Sequence, residues 1–181
     1  VLARTKNRVD GSWSSLRDET FIVGTQPPSR ADLVISEIHY NPYGSDEFEF
    51  IELWNRGTNL VDLSGVTVSN AVRYSFPEYT TLHPGARIVV VEDAPSFSNR
   101  YQNAASPWYW DGIDVAGEWI GGLSDGGERI DIMSTSNTVI SSVRYRSGGD
   151  WPERPDGDGG SLELSSPASV PTDSAEQVEY L

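Results

Sequence analysis

The chain has 181 residues, enough for one domain with some extra sequence and for a buried core without covalent staples. It carries 27 acidic residues against 13 scattered basic ones, a formal net charge of −14, which repels phosphate backbones and argues against nucleic acid as a partner. It contains no cysteine, which excludes disulfides and thiolate metal sites, and no apolar run reaches the roughly 18 residues of a membrane span.

In chain order, residues 1–23 read as two extended segments around an Asp10-Gly11 hairpin signal, the second from Thr20 to Val23. Their Ala-Arg-Thr, Gly-Ser-Trp-Ser and Phe-Ile-Val pieces resemble the last hairpin of a fibronectin-like or chitobiase-like β-domain. They are therefore expected to be the C-terminal hairpin of an upstream β-domain, since two strands alone are marginal. The sequence opens on Val1 with no signal peptide, so a fragment of a larger exported protein is expected. Residues 24–31, with Pro27-Pro28, read as a stiff linker.

The main domain is expected over 32–165. Its first strand puts Val34, Ile38 and Tyr40 on one face by simple alternation, and Leu33 and Ile35 on the other. Asn41-Pro42 stops it, and Tyr43 to Asp46 reads as a tight polar turn. Phe48 to Trp54 is the next extended run, with Phe48, Phe50 and Trp54 facing one way and Ile51 and Leu53 the other. Apolar groups on both faces predict a strand covered, at least in part, on both sides. After the Asp62 to Gly65 turn come strands around Val66-Val68 and Val72-Phe76. Leu82-His83-Pro84-Gly85 predicts a type II bend, and Ile88 to Val91 a central strand.

A short helix is predicted from Ala94 to Tyr101, capped by Asp93, with Pro95 in its first turn. Residues 103–112 form an aromatic loop, followed by a strand near Trp119. Asp125-Gly126-Gly127 predicts a hairpin turn, flanked by strands at Ile130–Met133 and Val139–Tyr145. Residues 146–160 are a Gly-, Asp- and Pro-rich loop, Leu162 and Leu164 a last strand, and 166–181 a tail or linker. Short strands, frequent turns and one short helix predict an all-β sandwich.

Six pieces, in order, carry a family resemblance: ISEIHYNP, EFIELWN, VDLSGVTVSN, LHPG with RIVVVED, GGLSDGGERIDIM, and VISSVRY running to WPERPDGDGGSLEL. Together they resemble a lamin tail domain over about residues 32 to 165. The acidic turn and the late DGDGGSLEL are similar to the bacterial form found in multi-domain secreted proteins. The resemblance implies an immunoglobulin-like β-sandwich. It also places Glu37 and Glu52 at motif positions.

Four kinds of chemistry were weighed. His39 and His83 are the only histidines, neither accompanies a nucleophile motif, and both are expected at the surface or an edge. Glu37, Glu49 and Glu52 sit on strands; Glu37 and Glu52 are expected to satisfy buried backbone groups or pair with an arginine. A structural calcium ion is the metal candidate, with Asp46, Glu47, Asp156 and Asp158 as ligands from two acidic loops. No other cofactor is expected. Trp108, Tyr109, Trp110 and Trp119 form a candidate glycan platform, because pyranose rings stack on exposed aromatic faces; Trp13 and Trp151 are expected to pack.

The function expected is that of a non-catalytic module of a larger secreted or cell-surface bacterial protein. Its task would be adhesion, spacing or domain positioning, through neighbouring domains or protein and glycan surfaces. A carbohydrate-binding module attached to an extracellular enzyme is the alternative. A hydrolase is the third reading, and it needs a cleft with two converging acids.

Overall fold

In the computed structural model, which describes residues 2–18, 22–165 and 176–177, the chain is almost entirely strand and turn. The strands are β1 (Leu2–Ala3), β2 (Arg17–Asp18), β3 (Thr25–Gln26), β4 (Leu33–His39), β5 (Phe50–Asn55), β6 (Leu60–Asp62), β7 (Thr67–Asn70) and β8 (Tyr74–Ser75). They continue as β9 (Thr81–Leu82), β10 (Arg87–Val91), β11 (Asp114–Glu118), β12 (Arg129–Met133), β13 (Val139–Arg144), β14 (Leu162–Glu163) and β15 (Glu176–Gln177). The one α-helix among the described residues, α1 (Ala94–Phe97), runs on into a wider π-type turn over Ser98–Gln102. Asp93 caps α1 by accepting from the Ser96 amide, and Pro95 stands in its first turn, as the sequence predicts.

Two five-stranded sheets form the sandwich. One has the order β11-β10-β5-β4-β14 and the other β15-β13-β12-β7-β8; a three-stranded sheet, β3-β6-β9, adjoins them. The main core lies between the sheets and gathers Leu33, Ile35, Ile38, Ile51 and Leu53 against Val68, Ile130, Ile132, Val143 and Tyr145. A second cluster covers the outer face of the first sheet at one end. There Phe97 and Tyr101 of the helical segment, with Ile113, bury Phe50, Val89 and Val91. The central strands are thus covered on both faces at that end only.

One parity is corrected. Leu33, Ile35, Ile38 and Tyr40 all face the main core, whereas simple alternation puts Leu33 and Ile35 opposite the other two. The cause is a bulge. Ile35 pairs with Leu53 and Glu37 with Glu52, so Ser36 is an extra residue in β4. Beyond it every side chain changes face, and Glu37 turns outward.

The turns follow their residues. Gly85 has φ +75°, a left-handed conformation that suits glycine in the Pro84-Gly85 bend. Gly127 has φ +99°, and a Cβ there would strike the Tyr145 carbonyl, so only glycine fits that hairpin.

At the amino end, β1 pairs with β2 around a turn that includes Gly11, and Trp13 lies exposed beneath Arg4. The predicted Thr20–Val23 strand falls largely on 19–21, outside the described residues. Part of the expected linker is strand: Thr25–Gln26 pairs in parallel with Leu60–Val61. Arg56 reaches the carbonyls of Arg30 and Ala31, which ties this stretch to the sandwich. Residues 166–175 and 178–181 of the expected tail lie outside the described residues, while β15 pairs in parallel with β13.

Candidate functional site

Where the helical segment stops covering the first sheet, a cleft of about 350 Å³ opens on its outer face. It is lined by Glu37 and Ser36 of β4 and its bulge, Glu52 and Trp54 of β5, Arg87 of β10, Glu163 and Leu164 at β14, and Trp110 from the aromatic loop. Glu163 pairs with Glu37, and Glu37 pairs with Glu52, so three carboxyl side chains stand in a row on adjacent strands.

Glu52 and Glu37 each have a partner. Ser36 donates to Glu52 Oε1 at 2.5 Å, and Arg87 Nε reaches the same oxygen at 3.1 Å. The Arg87 guanidinium also lies over the Trp54 ring, 4.9 Å from its centroid. Ser161 donates to Glu37 Oε1 at 2.5 Å. Glu52 is 2% exposed, and its Oε2 has no hydrogen-bond partner. Burial pushes the Glu37 carboxyl up to about 7, helped by Glu52 and Glu163 and opposed by the Ser161 hydrogen bond. Burial likewise raises Glu52, against the pull of Ser36 and Arg87.

The expectation that Glu37 and Glu52 satisfy backbone or pair with arginine is met by Glu52 with Arg87. The acid that satisfies buried backbone is Glu49, whose Oε2 accepts from the Leu123 amide at 3.0 Å. Burial raises Glu49 to about 8, with Glu92, Asp46 and Asp125 adding to the rise.

Among the histidines, His83 is exposed in its turn, but His39 is buried. The bulge turns it outward beneath the helical segment, where its ring packs on Phe50 and its Nδ1 meets the Tyr101 hydroxyl at 3.1 Å. Burial, then the Arg100 charge, hold His39 down at about 4.

The aromatic platform divides. Trp119 is 5% exposed and belongs to the main core. Trp110 is half-buried against Phe50, and it lines the cleft. Trp108 and Tyr109 are 47% and 44% exposed; Trp108 stacks on Arg100, and the Tyr109 hydroxyl donates to Asp111.

The two acidic loops meet. Asn41 bridges to Asp156 and donates to its carboxylate at 2.8 Å, while burial raises the Asp125 carboxyl, with the charges of Asp46 and Asp156 adding to the rise. Glu47 accepts from Ser96, and Asp158 is exposed. Among the described residues, no three His, Asp or Glu side chains converge as a metal-binding group.

The comparison with family models now decides the family. Residues 26–147 match the lamin tail domain. The chain belongs to the lamin tail domain family. That family is immunoglobulin-like and non-catalytic, and the lamin tail domain match spans β4, β5 and β10, the strands that build most of the cleft. No curated protein matches the chain. Among the described residues of this lamin tail domain, no helix is long and apolar enough to cross a membrane.

Several cleft residues carry no site signal in the sequence, among them Ser36, Arg87 and Glu163. Arg87 and Glu163 lie far along the chain from Glu37, and only strand pairing brings them together. Trp54 had a local signal, because Glu52 and Trp54 are two apart and so share the outer face of β5.

Proposed function

We propose that this lamin tail domain is a non-catalytic interaction and spacing module of a larger extracellular or cell-surface bacterial protein. The observation that carries the reading is the state of the paired acids. Acid–base hydrolysis needs two carboxyls whose surroundings push their pKa values apart, one protonated and one ionised. Here the protein itself engages both acids, Glu52 through Ser36 and Arg87 and Glu37 through Ser161. The outer sheet face and the loop ends are left as contact surfaces.

The test is accessibility in the native protein. On intact cells, an impermeant amine- or carboxyl-reactive label is expected to reach the domain before lysis. Protection until lysis overturns the extracellular assignment. Turnover of glycoside or ester substrates that is lost in a Glu37→Gln/Glu52→Gln variant overturns the non-catalytic one.

A second reading has one observation in its favour. Trp108 and Tyr109 keep nearly half their surface exposed, which suits a small glycan platform. Trp108→Ala is expected to abolish any retention on polysaccharide; unchanged retention removes this reading.

A further inference from the structure

We propose that the cleft between Glu37, Glu52, Glu163 and Trp110 receives the side chain of a lysine from a partner polypeptide. The proposal rests on reading the domain as an interaction module and names the chemistry of what it contacts.

The first support is an imbalance within the site. Three carboxyl side chains line the cleft, with one cation, Arg87, among them. Arg87 reaches only Oε1 of Glu52, an oxygen that Ser36 already serves. Oε2 of the same group is buried and has no partner. A buried carboxylate oxygen without a donor is costly, so the site favours a ligand that brings one.

The second support is the Arg87 arrangement, a cation held by Glu52 while lying over an aromatic face. The same cleft is lined by a second indole, Trp110, and by two further carboxyls, Glu37 and Glu163. A primary ammonium is compact and has three donors for carboxyl and hydroxyl oxygens, and its apolar stem suits the Trp110 and Leu164 surface. Among the described residues the carboxyls do not converge as a metal-binding group, and indole rings share the lining, which favours an organic cation over a bare ion. A neutral sugar would stack on Trp54, but Arg87 lies over that ring. The net charge of −14 also draws basic partners in.

Binding is linked to protons. Glu37 faces Glu52 from β5, Glu163 from β14, Ser161 ahead of β14, Arg87 from β10 and Tyr101 from the helical segment. A bound ammonium favours the ionised form of Glu37, so binding strengthens as pH rises from 6 to 8.

The experiment titrates the full chain with the peptide acetyl-Gly-Gly-Lys-Gly-Gly-amide, with its Nε-acetyl-lysine counterpart, and with cellobiose, following indole resonances by NMR. The lysine peptide is expected to bind at least about tenfold more tightly than the acetylated one, because a charge-assisted hydrogen bond is lost. Affinity should rise several-fold from pH 6 to pH 8 and fall with salt. Glu52→Gln is expected to weaken binding about tenfold. Glu163→Gln changes an exposed residue and leaves the fold intact, so it serves as the second variant and is expected to weaken binding about threefold. Equal binding of both peptides, no binding at millimolar peptide, or binding of cellobiose alone each overturns the proposal. None of these outcomes bears on whether the domain is displayed outside the cell.

Discussion

Glu37 and Glu52 stand directly opposite each other across the β4–β5 pairing, and they do so because Ser36 bulges out of register between Ile35 and Glu37. The bulge residue also hydrogen-bonds one of the two acids it brings together. Register and chemistry are therefore one feature of this strand.

Ser36 is expected to matter for stability. Ser36→Ala removes the donor to Glu52 Oε1 and leaves that buried carboxyl with Arg87 alone. A loss of about 1–2 kcal/mol is expected, read as a lower urea midpoint at pH 7. Deleting Ser36 should cost about as much as Ser36→Ala, because Ile35–Leu53 and Glu37–Glu52 then become consecutive pairs of a regular ladder and every side chain keeps its face. A deletion variant far less stable than Ser36→Ala would contradict the bulge.

Stability should fall as pH rises from about 4.5 to 8. Glu37 and Glu49 have folded-state values of about 7 and about 8, above the ordinary 4.5. Their contribution is full below 4.5 and is lost as pH climbs through the folded values, because the unfolded chain gives up its protons first. His39, held at about 4, acts oppositely between 6.5 and 4, so the decline should steepen above 6.5. Glu49→Gln is expected to flatten the curve and raise the melting midpoint at pH 8 by several degrees, at about 2–4 °C per kcal/mol. Thermal melts in a constant-ionic-strength buffer series check this, and a flat wild-type profile would count against it.

Arg100 lies between the Phe48 and Trp108 rings, 4.3 Å from each centroid, and donates through Nη1 to the Tyr43 carbonyl. It is only 7% exposed, and its Nε and Nη2 have no hydrogen-bond partner. Arg100→Ala should cost about 2–4 kcal/mol through lost packing and cation–π contact. Arg100→Met keeps the bulk and removes two unpartnered donors, so it should cost less than about 1 kcal/mol. His39 should then titrate above 4 yet below 6.5, since burial is the larger cause of its shift. Imidazole NMR signals read that directly. Equal destabilisation by Ala and Met would mean that the charge, and not the volume, holds the segment.

The tryptophans should separate by burial. Trp119→Ala opens the main core and is expected to cost about 3–5 kcal/mol. Trp108→Ala loses one stacked cation and is expected to cost about 1 kcal/mol. Denaturant midpoints of the two variants decide it, and similar values would mean that Trp119 is not the core residue its burial makes it.

The longer strands of the sandwich, the turns and the short helix are legible from residues alone, whereas β3, β6 and β9 are not. Alternating apolar side chains, Pro-Gly and Gly-Gly turns, and Asp93 ahead of Pro95 are local patterns, and each acts over a few residues of chain. The inward side of β5 followed from the same local rule. What tertiary structure decided was phase and company. The Ser36 bulge reversed the parity of half of β4, and nothing in Ile35-Ser36-Glu37 announces a bulge, because it exists only in register with β5. His39 became a buried group because the helical segment folds over that face. The cleft needed Arg87 and Glu163 beside Glu37, and such neighbours are chosen by strand order in the sheet. Periodicity belongs to one segment of chain, whereas pairing is a property of two. The first can be read along the sequence, and the second exists only when the strands meet.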